Sequence, residues 1–229
     1  MTSLPPNPRY ERKFVVEGLP LPDVLALVRR HPAAFREIYP SRSVNNIYLD
    51  TPGLRDYSEH LNGAAHRTKT RVRWYGPWSG CIACPTLEHK LKRGHVSGKV
   101  SNGLAPLSMN GHVSKSDLEA AFNGAALPEF TRLALRHLQP SLLNRYQRHY
   151  FQSADGRFRL TVDSGLQFAA SRQAQSIEIA FGPPETQVVV ELKYGLALAD
   201  DAAHVTNTLP FRLARCSKYV LGISSRAAC

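Results

Sequence analysis

The sequence predicts an α+β fold built around a large antiparallel sheet or barrel. Three observations predict it. Stretches of alternating polar and apolar residues recur along the chain, as strands with one buried face require. Only a few helix-like segments interrupt them. The long strand candidates near residues 141 to 169 are joined by a tight "ADG" turn, the mark of an antiparallel hairpin.

The elements follow in order. "LPPNP" reads as an extended lead-in, and "RYERKFVVEG" as a strand closed by Gly18. "LPDVLALVRRHPAAF" predicts a helix with Pro22 and Asp23 in its first turn and Pro32 ending it. "SVNNIYLDT" is a strand, "PGLRDYSEHLNG" a short helix stopped at Gly63, and "RTKTRVRWYG" a strand ending at Gly76. "TLEHKLKRG" is the next strand. "SKSDLEAAFNG" carries a Ser N-cap and a Gly stop, and "LPEFTRLALRHL" is a second helix after it. "SLLNRYQRHYFQ", "RFRLTVDSGLQFA", "SIEIAF" and "QVVVELKYG" are strand candidates, and helices from about Asp200 to Asn207 and Ser217 to Ser225 finish the chain.

Composition narrows the function. The 229 residues suit one domain spanning 1–229, 43% of them hydrophobic. Lys and Arg number 29 against 18 Asp and Glu, a formal charge of +11, which points to an anionic partner. No apolar run reaches the roughly 18 residues a membrane span needs. "MTSLPPNPRYERKF" has no apolar signal core, so a cytoplasmic protein is expected. Cys81 and Cys84 form a CxxC without a second pair to complete four zinc ligands, and read as loop cysteines. Cys216 and Cys229 read as unpaired thiols, and no two His residues fall at metal-ligand spacing.

Strand parity carries the functional signal. In "RTKTRVRWYG" the cations Lys69, Arg71 and Arg73 share one face. Glu88, Lys90 and Lys92 share a face of the next strand, and Arg9, Glu11 and Lys13 a face of the first. Tyr146 pairs in parity with Arg148, Glu191 with Lys193, and Asp163 with Arg157, Arg159 and Thr161. A solvated sheet face mixes signs, because like charges opposite one another are destabilising. These faces are mostly positive. A closed barrel with the cations inside also carries a large repulsion and desolvation cost. A water-filled tunnel holding a polyanion relieves both, and Arg and Lys are natural phosphate ligands. Asp163 reads as a turn cap before "SG" rather than a metal ligand. Trp74 and Tyr75 read as packing residues, and His89 as outward-facing.

The ordered set "RYERKFVV", "NNIYLDT", "RVRWYG", "LEHKLKRG", "RYQRHYF", "RFRLTVD", "VVVELKYG" and "RCSKYVLG" resembles the VTC domain, the polyphosphate-polymerase module of the vacuolar transporter chaperone complex. That domain belongs to the triphosphate tunnel metalloenzymes. The resemblance implies an eight-stranded antiparallel β-tunnel with a polar cationic interior and helices packed outside. It implies phosphate contacts from Lys13, Arg71, Arg73, Lys90, Lys99, Tyr146, Arg148, Arg159, Arg215, Ser217 and Lys218, with Lys193 beside them on its strand face. Arg71, Arg73, Lys90, Arg148, Arg159 and Glu191 take the catalytic roles. Glu191 matches the principal ligand of a Mn²⁺ or Mg²⁺ ion, with Glu11 and Glu88 as helpers. The superfamily's ExExK signature reads "RYERK" here, with Arg9 in place of the first Glu.

The function expected is metal-dependent phosphoryl transfer from ATP to a growing polyphosphate. Hydrolysis of triphosphate or polyphosphate is the rival reaction. A non-catalytic module that binds polyphosphate or tripolyphosphate is the rival class, and Glu191 speaks against it. Nucleic-acid binding is not expected, because the cations alternate along strands instead of covering an exposed face between aromatics.

Overall fold

The computed structural model describes residues 8–94, 96–170 and 176–227, so most of the "LPPNP" lead-in and Cys229 lie outside the described residues. Its strands are β1 (Arg9–Val16), β2 (Arg36–Asp50), β3 (His66–Tyr75), β4 (Gly80–Ile82), β5 (Thr86–Arg93), β6 (Val96–Gly103), β7 (Leu107–Met109), β8 (His112–Ser114), β9 (Gln139–Gln152), β10 (Arg159–Ala170), β11 (Ser176–Glu178) and β12 (Val188–Gly195). Its helices are α1 (Leu21–Arg29), α2 (Arg55–Leu61), α3 (Lys115–Asn123), α4 (Glu129–Leu135), α5 (Asp201–Asn207) and α6 (Lys218–Ala227). Eight strands close an antiparallel barrel in the order β1-β12-β10-β9-β2-β3-β5-β6. The seam between β1 and β6 is the narrowest, with Arg9 opposite Ser97 as its one ladder pair.

The apolar parity of each strand faces out and is covered by helices. Phe14, Val16, Leu160, Val162, Val190 and Leu192 pack with Val24 and Val28 of α1 and Ala202 and Val205 of α5. Ile47, Leu49, Val72, Trp74, Leu87 and Leu143 pack with Leu118 and Phe122 of α3 and Leu135 of α4. The Ser114 side chain caps α3 in a reciprocal capping box with Asp117, as the sequence predicts.

α6 is the exception to helices packed outside. Its Tyr219 lies in a third cluster with Val44, Tyr48, Leu142, Tyr146, Leu166 and Phe168, all of inward parity, so α6 fills one end of the tunnel on that side. A bulge prepares the seat. The register of β10 shifts between Ser164 and Gln167, with Gly165 at φ +60°. Before the bulge Thr161 and Asp163 face inward. After it the parity flips, and Leu166 and Phe168 do. One strand thus supplies both the polar wall and the apolar seat.

Two sequence expectations are corrected here. "SIEIAF" is no barrel strand: β11 pairs with β8 in a separate two-stranded sheet. The barrel's place is taken by β6, whose "VSGKVSNG" is too rich in Gly and Ser to read as a strand. The "SG" after Asp163 is the bulge, not a turn, so Asp163 caps nothing; it is a fully buried wall residue.

The close fit of α6 predicts a large effect from one methyl group. A Cβ at Gly222 would lie 2.5 Å from Phe168 Cδ1 and 2.6 Å from Leu142 Cδ2. Gly222→Ala should destabilise the fold by about 1–3 kcal/mol as an overpacked site. Gly195→Ala, which meets nothing within 4 Å, should leave the melting temperature near wild type. Equal melting temperatures for the two variants would remove α6 from the tunnel wall.

Candidate active site: a cationic tunnel

Antiparallel pairing sets the charges in rows. Lys69 lies opposite Lys90 and Lys90 opposite Lys99, while Arg71 lies opposite Glu88. On the far wall Lys13 lies opposite Glu191, and Asp163 opposite Arg148. Contacts between strands that are not neighbours show that these side chains share one interior. Arg73 of β3 donates to Tyr146 Oη of β9 at 3.2 Å. Lys90 of β5 meets Glu11 of β1 at 2.6 Å, across the seam. Arg148 of β9 lies 4.0 Å from Glu191 of β12.

Three buried carboxylates organise the cations. Glu88 accepts from Arg71 and Lys99 at 2.6 Å each and lies 3.6 Å from Arg73. Burial opposes its charge, but these cations outweigh burial and hold its pKa down at about 2. Asp163 takes a bidentate pair from Arg148, at 2.6 and 2.7 Å, and a third bond from Lys218 at 2.6 Å. Against the same burial cost its pKa also falls to about 2. Glu191 is different. Its cations stand farther off, Lys193 at 3.5 Å and Arg148 at 4.0 Å. Lys193, Lys13, Lys90 and Arg148 together still overcome burial and keep it ionised. Thr161, opposite Glu191 in the ladder, has a buried Oγ1 with no partner among the described residues.

The lysines respond to the same surroundings. Burial lowers the affinity of Lys13 for its proton, yet Glu191 and Glu11 raise it above the usual value. Lys90, with burial outweighing Glu11, drops to about 8. Lys69 has no carboxylate partner among the described residues; its Nζ donates to Ser217 Oγ at 2.6 Å. Burial and then Lys13 and Lys90 push it down to about 6.

The end of the tunnel is held by a latch. Asp50, fully buried, accepts the backbone N–H groups of Thr51, Asp56 and Tyr57 and the Tyr219 hydroxyl, the last at 2.6 Å. Tyr219 also stacks on Tyr48 with ring centres 4.9 Å apart. These contacts fix the start of α6, and with it Ser217 and Lys218 in the wall.

The structure thus gathers Lys13, Arg71, Arg73, Lys90, Lys99, Tyr146, Arg148, Glu191, Lys193, Ser217 and Lys218, with Glu11 and Glu88 among them. Arg159, the first residue of β10, is exposed at the rim opposite Lys193. Arg215 is exposed, close enough to Arg67 and Lys92 near the α6 end to repel them. Arg157 leaves the tunnel and pairs with Asp201 of α5. Tyr75 does not pack: it is 51% exposed, whereas Trp74 is buried as expected. Glu191, Glu11 and Glu88 do not converge on one point. Among the described residues no group of three His, Cys, Asp or Glu could hold a metal. Sequence reasoning placed Asp163 on the polar face but misread it as a turn cap, and it missed Asp50. It left Lys69 out of the phosphate contacts, although parity alone places it beside Arg71.

The VTC domain family matches residues 8–226. The chain belongs to the VTC domain family. No curated protein sequence matches it. Solved structures share its fold at low identity. A candidate adenylate cyclase from Vibrio parahaemolyticus is 13% identical with a TM-score of 0.54, over 94% of this chain and 98% of that one. A Hippeastrum protein, a candidate adenylyl cyclase with a dominant triphosphatase activity, is 14% identical with a TM-score of 0.50, over 96% of each chain. A candidate adenylate cyclase from Bacillus halodurans is 13% identical with a TM-score of 0.50, over 91% of this chain and 93% of that one. No helix among the described residues of this VTC domain is long and apolar enough to cross a membrane.

Lys69 gives the empty site a pH signature. Its pKa falls from 10.5 in the unfolded chain to about 6 in the fold. Between these values the unfolded state binds the extra proton, so stability rises with pH. The ligand-free protein should therefore melt at higher temperature at pH 8 than at pH 6.5. Lys69→Met should raise the melting temperature at pH 6.5 and flatten the rise. A variant with the wild-type slope would mean that Lys69 is solvated and charged.

Proposed function

We propose that this VTC domain is a metal-dependent phosphotransferase that binds ATP by its phosphates in the tunnel and extends a polyphosphate chain. The observation that carries the reading is the one-signed interior. Lys13, Arg71, Arg73, Lys90, Lys99, Arg148, Lys193 and Lys218 stand against the carboxylates Glu11, Glu88, Asp163 and Glu191, and the surrounding charge is enough to push Lys69 toward its neutral form. Such an excess is relieved by a polyanion and by little else.

The residues fit a divalent ion held by one carboxylate. Glu88 and Asp163 spend their oxygens on short ion pairs, and Glu11 on Lys90. Glu191 is ionised and without a short ion pair. Mg²⁺ characteristically takes one or two protein carboxylates and completes its shell with phosphate oxygens and water. Glu191 would hold Mg²⁺ or Mn²⁺ in that way, and the ion would neutralise charge on the phosphoryl oxygens. Glu88 then serves as the hub that aims Arg71, Arg73 and Lys99.

The protein's own part is positioning and charge stabilisation. Phosphoryl transfer spreads charge over the equatorial oxygens, and little covalent chemistry falls to the enzyme. Arg71, Arg73, Lys90 and Arg148 line the middle of the tunnel, fixed in direction by their carboxylates, so few rotamers are lost when phosphate arrives. Lys13, Lys99, Lys193, Ser217, Lys218 and the Tyr146 hydroxyl extend the path, with Arg159 and Arg215 near its ends. The same tunnel with water as acceptor would be a triphosphatase. The shared fold of the Hippeastrum protein, which has that activity, keeps this reading in play.

Incubation with ATP and Mn²⁺, with products separated by chain length, tests the proposal. Long polyanion supports polymerisation, and ADP with orthophosphate supports hydrolysis. Glu191→Gln should cut turnover by a hundredfold or so, on the order of a lost electrostatic contact, while tripolyphosphate binding without metal persists or tightens. Normal Mn²⁺-dependent turnover in this variant would make Glu191 a charge-balancing residue and end the metal assignment.

A further inference from the structure

The cation rows end, at the rim away from α6, in a ring of tyrosines. The Arg42 guanidinium lies over three of them, 5.2 Å from the centre of Tyr39, 5.8 Å from Tyr75 and 5.8 Å from Tyr150. Tyr39 and Tyr150 meet edge to face at 5.9 Å. Tyr39 and Tyr75 remain 52% and 51% exposed.

The ring is continuous with the tunnel wall. Arg42 is paired with Arg148 in the β2–β9 ladder. Tyr75 follows Arg73 by two residues on the same face of β3, and Tyr150 follows Arg148 likewise on β9. Two residues along a strand span about 6.6 Å. That is the scale on which a ribose separates a base from its first phosphate. At the opposite end Tyr219 packs with Tyr48, Leu142 and Phe168, whereas this rim leaves the half-exposed rings of Tyr39 and Tyr75 for a nucleotide's bulky end.

The chemistry of the rim differs from that of the wall. Arg42 has no carboxylate partner among the described residues; its planar charge lies on aromatic faces. Half-exposed rings beside a stacked guanidinium make a platform for a flat π-system. They offer little to phosphate beyond the one arginine.

We propose that Tyr39, Arg42, Tyr75 and Tyr150 form a nucleobase-stacking site for a nucleoside triphosphate whose phosphates enter the tunnel. This rests on the phosphate-binding reading of the tunnel and adds the part of the substrate that the cations cannot recognise. Stacking accepts any base with a large face, so purines bind better than pyrimidines and adenine is barely distinguished from guanine.

The test compares ATP with methyl triphosphate, which carries the same phosphates and no base. Both are titrated by calorimetry without divalent metal, so that nothing turns over. The wild type should bind ATP the more tightly. The double variant Tyr39→Ala/Tyr75→Ala should lose about tenfold in ATP affinity, the scale of one lost stacking contact, and keep its methyl triphosphate affinity. Both rings are half-exposed, and the methyl triphosphate titration itself reports a folded tunnel. Equal wild-type affinities for the two ligands overturn the stacking site while leaving the tunnel intact. So does an equal loss for both in the variant, which would make the rim part of the phosphate path. A wild type that binds neither ligand overturns the tunnel reading and this inference with it.

Discussion

The tunnel depends on the ion pairs that Glu88 and Asp163 make inside it. A barrel lined only with lysine and arginine would carry their mutual repulsion in a medium that screens it poorly. Two buried carboxylates, Glu88 meeting three cations and Asp163 two, make such a lining compatible with folding. They also aim it. Arg71 and Arg148 are drawn into fixed directions, and Lys99 and Lys218 are brought in from β6 and from α6. Compensation is incomplete: Lys13, Lys90 and Lys193 share the two carboxylates Glu11 and Glu191, and Lys69, with only a hydroxyl for company, is pushed toward its neutral form. The fold therefore keeps an unneutralised positive field for a ligand, within a wall rigid enough to use it.

The covering of the barrel follows from the same separation of faces. Because the inner parity is polar, the apolar parity must face out, and α1, α3, α4 and α5 bury it in two clusters. The β10 bulge reverses this order for a few residues and lets α6 dock from within. Asp50 and Tyr219 then hold the helix whose first turn supplies Lys218.

Most of this architecture is legible in the sequence, because strand parity is a strict rule and the charges obey it on six strands. The alternation of Lys69, Arg71 and Arg73, and of Glu191 with Lys193, places them correctly without any coordinates. What escaped was governed by other physics. Asp163 looked like a turn residue because the Ser-Gly after it marks a bulge as readily as a turn. β6 has the register of a strand but not the composition, since neighbours on β5 hold it in place. Arg157 has the right parity but precedes the first ladder pair of β10, where parity no longer binds. The spread of the carboxylates is a matter of barrel stagger, which no single strand encodes.

The central claim is that the empty interior repels itself and that a linear phosphate chain relieves this specifically. It is tested most directly by the melting temperature of the protein in tripolyphosphate and in sulfate at equal ionic strength, without divalent metal. Ligand that binds only the folded state must raise stability by mass action. Tripolyphosphate should raise the melting temperature well above the sulfate value, with saturation. Equal shifts in the two salts would mean general screening of a basic protein and would contradict the account.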